Sequence, residues 1–252
     1  MAALRLDPAN GGRIASLEVD GVELLAPRQG TDWLRWGCYP MVPWAGRVRD
    51  GRFEFDGEEY QLELDLPPHA IHGVAYRASW EETGPATLHL NMEGLWPFGG
   101  GVEQHFEVSD QSLLVTMSVQ ATQRMPAMAG WHPCFLRQLS KGDPAELSLD
   151  SEYMWQRDHV GIPTGERVTV PAGPWDDCFG DVVEPPVVRW PGFGSIWLES
   201  NMTSWVVYNE EPDLVCVEPQ SDAPDAFNRN PVVLEPGETL DVWMRVSWEL
   251  EG

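Results

Sequence analysis

The chain has 252 residues, with 16 Lys and Arg against 40 Asp and Glu, for a formal charge of -24. A surface this acidic repels phosphate backbones and anionic lipid, so nucleic-acid and membrane partners are not expected, and an anionic substrate would need a local gathering of arginines. The length suffices to bury a core without disulfides or metal.

Nothing in Met1–Gly12 can serve as the apolar stretch of a secretion signal, and no apolar run is long enough to cross a bilayer. Cys38, Cys134, Cys178 and Cys216 stand far apart among apolar and aromatic neighbours. They read as reduced, packed thiols, and a cytoplasmic location is expected.

In chain order, Arg13–Val19 and Val22–Leu25 predict a hairpin turned at Asp20-Gly21. Arg52–Asp56 and Glu58–Leu64 predict a second, turned at Asp56-Gly57. Asp-Gly suits a type I′ turn because both central residues take positive φ. Val102, Gln104, Phe106 and Val108 alternate with more polar neighbours, as do Leu113, Val115, Met117 and Val119. So do Leu240, Val242, Met244, Val246, Trp248 and Leu250. A period of two predicts strands with one face in a core. Ser140–Pro144, Pro171–Pro174 and Glu184–Pro186 read as loops. The 22 prolines and 24 glycines punctuate the chain too often for long helices. No repeat, low-complexity run or linker divides it. The expectation is one all-β domain over residues 1–252, a sandwich or a barrel. Thirteen tryptophans belong mainly to packing, with a minority expected to face a cleft, since sugar C–H faces stack on indole.

Several segments place polar residues in apolar company. Gly37–Phe53 carries Arg47 and Arg49 in a Pro-, Gly- and aromatic-rich stretch. These are either solvated loop arginines or, for Arg47, a donor to a ligand oxygen. His69 and His72 follow Pro67-Pro68 in a segment expected to be extended. Residues i and i+3 then point to opposite faces, so one histidine should face inward and the two should share no metal. His132, between Trp131 and Pro133, is either a bonded core histidine or a desolvated general acid or base. Glu218 ends the apolar run Leu214–Val217. A carboxylate there needs a salt bridge, solvent or a catalytic use, and burial would raise its pKa. Asp176 and Asp177 form a polar pair among aromatics that a turn explains equally well.

In this order the segments resemble the aldose 1-epimerase (galactose mutarotase-like) family. The match runs through Y-P-x-V-P-W-A-x-R-x-x-x-G-R-F (Tyr39 to Phe53) and H-x-x-H-G with a downstream Trp (His69 to Trp80). It continues through G-W-H-P-x-F (Gly130 to Phe135), D-D-C-F (Asp176 to Phe179) and E-P-Q (Glu218 to Gln220). Five motifs in order over most of the chain form a specific signal.

The resemblance implies a large antiparallel β-sandwich binding a small-molecule sugar in a cleft, without cofactor or metal, as a monomer or homodimer. It implies Glu218 as general base and His132 as general acid. Arg47 and His72 would hold sugar oxygens, and Asp176, or its neighbour Asp177, would hold hydroxyls. The family often has Asn where this chain has Gly46, so one amide contact is missing and the preferred aldose stays open. The rivals are a hexose 6-phosphate mutarotase using Arg47, Arg49, Arg52 and Arg77, a non-catalytic carbohydrate-binding sandwich, and a metal-dependent isomerase using His69, His72 and His132.

Overall fold

The computed structural model describes residues 1–251. Sixteen strands join in one curled, antiparallel sheet. Its path begins Ala2–Asp7, Arg13–Val19, Cys38–Met41, Gly130–Leu136, Leu214–Gln220, Ser204–Tyr208 and Asp176–Trp190. It continues Gly194–Ser200, Thr239–Leu250, Ser112–Gln120, Gly101–Val108, Thr87–Asn91 and Glu81–Gly84. Helix among the described residues is confined to single 3-10 turns. Among the described residues no helix is long and apolar enough to cross a membrane.

The period-two segments form the strands expected of them. Leu113, Val115, Met117 and Val119 are all at most 2 % exposed, and Val242, Met244, Val246 and Trp248 line the same core. The register Val115↔Met244 and Met117↔Val242 puts these side chains opposite one another, where cross-strand pairs contribute most. The alternation overreaches at strand ends: Val108 and Leu250 are exposed. Gln104 keeps its inward place because its amide donates to the Gly12 carbonyl and accepts from the Trp131 indole N–H.

Both hairpins turn where expected, with φ of 52° and 72° at Asp20-Gly21 and 52° and 81° at Asp56-Gly57. The second strand of the later hairpin ends at Gln61 rather than Leu64. The Leu62 N–H still donates to the Gly51 carbonyl, one step further in the same register.

Glu184–Pro186 is not a loop. It lies inside the long strand Asp176–Trp190. Asp150 pairs with Glu184 and Ser148 with Val187, so Pro185 and Pro186 together oppose the single residue Leu149. A bulge of this kind tolerates residues that cannot donate to the ladder. On its other side the strand is changing partners there, from Ser204–Tyr208 to Gly194–Ser200.

Candidate functional site

The centre of the sheet brings the chemistry together through register. His132 pairs with Tyr39, and Glu218 with Val206. Gly130↔Gln220 and Cys134↔Cys216 flank the point where His132 and Glu218 meet on neighbouring strands. Side chains two apart share a face. Leu214, Cys216, Glu218 and Gln220 accordingly look into one pocket of about 270 Å³, while Val215 and Val217 look into the core. Asp176 reaches the same pocket from the next strand but one, paired with Tyr208.

Arg47 and His72 enter from a loop pair clasped to this face. Strand Arg47–Val48 pairs with Ala70–Ile71. His72 donates its backbone N–H to the Gly46 carbonyl, and the Gly46 N–H donates to His72 Nδ1 at 3.2 Å. Two glycines make the clasp possible. A Cβ on Gly73 (φ 78°) would lie 1.9 Å from the Val42 carbonyl oxygen. A Cβ on Gly46 (φ 69°) would lie 2.6 Å from Pro224. The proline therefore fills the space that a side chain at position 46 would need.

All five expected residues, Arg47, His72, His132, Asp176 and Glu218, line this pocket. His132 Nε2 lies 3.1 Å from Glu218 Oε1, and the two side chains are 8 % and 2 % exposed. Gln220 donates to the other carboxylate oxygen at 3.2 Å; its own carbonyl oxygen is buried without a partner. The Tyr39 ring stacks on His132 at 4.7 Å between centroids.

Burial pushes the Glu218 carboxyl up to about 7, against the pull of His132. Burial works against the imidazolium too. The Glu218 charge and Cys134 outweigh it and take His132 up to about 9. Between those values the pair is carboxylate and imidazolium, each stabilising the other. His72 is different: burial, then the charges of His132 and Arg47, hold it well below its usual range. It is a neutral ring whose Nδ1 accepts from Gly46, so its proton sits on Nε2 as a donor.

Arg47 contacts Asp176 at 3.1 Å, and Arg157 braces the same carboxylate at 3.2 Å. Asp177 points elsewhere: Arg157 holds it at 3.0 Å, and it does not line the pocket. Period two separates the adjacent aspartates.

The histidines of the H-x-x-H segment are both buried, not one. A left-handed residue at His72 (φ 59°) breaks the extended geometry assumed for the segment. His69 uses both ring nitrogens away from the pocket, on the Asp50 N–H and the Val160 carbonyl. Donor atoms of His72, His132 and Glu218 lie within 4.8 Å of one another, as do those of His132, Cys134 and Cys216. His132 is common to both groups, and its two ring nitrogens are already engaged with Glu218 and Cys134.

No tryptophan lines the pocket. Trp36, Trp44, Trp80, Trp96, Trp131, Trp190, Trp205 and Trp248 are buried in packing instead. Tyr208 and Gln220 line the pocket without having been expected there from the sequence. Gln220 carried a signal, standing two positions from Glu218 on one strand.

The model of the aldose 1-epimerase family matches residues 8–247. The uncharacterized protein YphB of Escherichia coli (strain K12) is 26 % identical, over 98 % of this chain and 97 % of its own length. Bovine galactose mutarotase is 25 % identical over 52 % of this chain and 42 % of its own. A solved galactose mutarotase-like protein of Clostridium acetobutylicum superposes with a TM-score of 0.83 at 15 % identity, covering 99 % of this chain and 93 % of that one. With the family match spanning nearly the whole sequence and the fold shared throughout, the chain belongs to the aldose 1-epimerase family.

Proposed function

We propose that this protein is a mutarotase that interconverts the α and β anomers of a free aldose. The observation that carries the reading is the buried His132–Glu218 pair at 3.1 Å on the pocket floor. Mutarotation needs one base and one acid aimed at two oxygens on a single carbon, and two groups that converge on one point suit that demand. A sugar entering the pocket separates the pair. The Glu218 carboxylate takes the proton of the anomeric hydroxyl, and His132 Nε2–H protonates the ring oxygen. The bond between the anomeric carbon and the ring oxygen then breaks, leaving the open-chain aldehyde. Rotation presents the other face of the carbonyl. Ring closure returns each proton with the roles reversed. Acid and base each contribute roughly 10²–10⁴-fold.

The neutral His72 donates from Nε2, and Arg47 with Asp176 offers a donor and an acceptor for hydroxyls. A pocket of about 270 Å³ lies just below the ~300–1,000 Å³ of drug-sized ligand sites, which suits a monosaccharide.

The pairing of the arginines favours an unphosphorylated sugar. Arg49 is held by Asp158 at 2.8 Å, Arg77 by Asp65 and Arg52 by Gln61. The pocket arginines are neutralised as well, Arg47 by Asp176 at 3.1 Å and Arg35 by Glu211 at 2.7 Å. Neither of the two arginines that line the pocket among the described residues is free of a carboxylate to receive a phosphate. The four buried free thiols are in keeping with work in the cytoplasm.

The test is a polarimetric screen of aldoses and their 6-phosphates. Faster equilibration of the free sugars is expected. Acceleration confined to the phosphorylated ones would overturn the substrate assignment.

A further inference from the structure

His132 has two ring nitrogens, and the reaction just described uses only Nε2. Nδ1 points the other way and lies 3.4 Å from the sulfur of Cys134, two residues along the same strand and on the same face. Cys134 pairs in register with Cys216 on the neighbouring strand. A ring nitrogen of His132 and the two sulfurs lie within 4.8 Å of one another. All three residues are buried. The Cys134 S–H has its own acceptor in the Leu34 carbonyl at 3.4 Å, which leaves sulfur lone pairs turned to the ring.

Other polar groups surround this cluster. Glu218 faces the opposite side of His132, and the His72 ring meets it edge-on at 5.1 Å. Strand Cys38–Met41 adds Tyr39, stacked on the ring, and Cys38. The fully buried Arg13 lies behind Tyr39, with its guanidinium 4.9 Å from the phenol ring.

We propose that Cys134 is a positioning residue whose sulfur accepts a hydrogen bond from Nδ1–H of His132, fixing the ring so that Nε2 carries the transferable proton toward Glu218 and the sugar. The proposal rests on the reading of His132 as the proton donor. An imidazolium has two N–H groups to satisfy, and a buried donor without a partner is costly. The second consequence concerns the tautomer. When Nε2 gives up its proton, the bond to sulfur keeps the remaining one on Nδ1, so the Nε2 lone pair stays free to take the proton back. Electrostatics favours the arrangement. Burial opposes ionisation of Cys134, but its neighbours Cys216 and His132 outweigh it and draw the thiol below its usual range, which makes its sulfur a better acceptor. Cys216 is pushed well up, by its neighbour Cys134 first and then by burial.

The experiment compares the full-length wild type with Cys134→Ala and Cys134→Ser. It measures kcat and KM by polarimetry and follows the His132 ring by ¹H–¹⁵N NMR across pH. Cys134→Ala is expected to lower kcat roughly 10- to 100-fold at unchanged KM, less than the ~10⁴ lost when a charged orienting carboxylate is neutralised in a serine triad. Its His132 titration should move to lower pH. Ser retains an acceptor and should restore most of kcat. An unchanged titration and an unchanged Nδ1 signal in Cys134→Ala would overturn the proposal. So would a loss of kcat that Ser does not recover while the ring titrates normally. If the wild type itself accelerates no aldose, the pocket reading fails on that ground alone, and the ring signals decide independently whether sulfur holds Nδ1.

Discussion

Strands Ser112–Gln120 and Thr239–Leu250 belong to the same sheet as Gly130–Leu136 and Leu214–Gln220, yet the two pairs use burial differently. The first pair buries one face. Its alternate residues, such as Val115 and Met244, fill the core, and the others stay partly exposed. The second pair is buried on both faces. Strands in that position ordinarily read as continuous apolar runs. Here one face obeys, with Trp131, Phe135, Val215 and Val217, and the other carries His132, Cys134, Glu218 and Gln220. A buried carboxylate, an imidazole and an unpartnered amide oxygen are poor choices for stability. Departures of this kind gather where a protein gives up stability for chemistry.

The sharpest break of that comparison pairs Glu218→Gln with Met244→Ala. Glu218→Gln should cut kcat by roughly 10²–10⁴-fold with no loss of thermal stability. Met244→Ala should cost about 2–5 kcal/mol of stability with kcat preserved in whatever fraction is folded. Equal losses of stability in the two variants would erase the distinction between the regions.

His132→Asn should lose a similar factor in kcat. Combined with Glu218→Gln it should lose little more, because groups that act as a unit are not additive. Multiplying losses in the double variant would show two independent groups.

Arg47→Ala should act on binding and raise KM roughly tenfold, the cost of about one charge-assisted hydrogen bond. Arg49→Ala, paired with Asp158 outside the pocket, should leave KM alone.

The smallest effect is in pH. Glu218 must be ionised, so kcat/KM should rise as pH climbs through about 7. His132 must be protonated, so it should fall again through about 9. The two limbs belong to the coupled pair rather than to either residue. A profile flat from mildly acidic to mildly alkaline pH would count against proton transfer by these groups.

Much of this was legible in the sequence because strand alternation encodes which face a residue occupies. Leu113–Val119 and Leu240–Trp248 declared their faces directly. Glu218 was conspicuous as a charge at the end of an apolar run. Other features depended on register, which one strand does not carry. Nothing local distinguishes Asp176 from Asp177 until the pairing with Tyr208 turns one inward. The strand through Pro185 and Pro186 was hidden because a bulge removes the penalty that proline normally signals. The burial of both His69 and His72 goes with a left-handed residue at His72 that an extended reading does not anticipate. The clasp of Gly46 against Pro224 joins positions too distant in sequence to be read together.

The most direct test of the buried pair is the optical rotation of freshly dissolved α-glucose and α-galactose at roughly pH 8, between the two limbs. Wild-type protein should bring at least one of these sugars to its anomeric equilibrium well ahead of buffer, and Glu218→Gln at equal concentration should match buffer. A Glu218→Gln variant that equilibrates the sugar as fast as wild type would contradict the assignment of that carboxylate as the base.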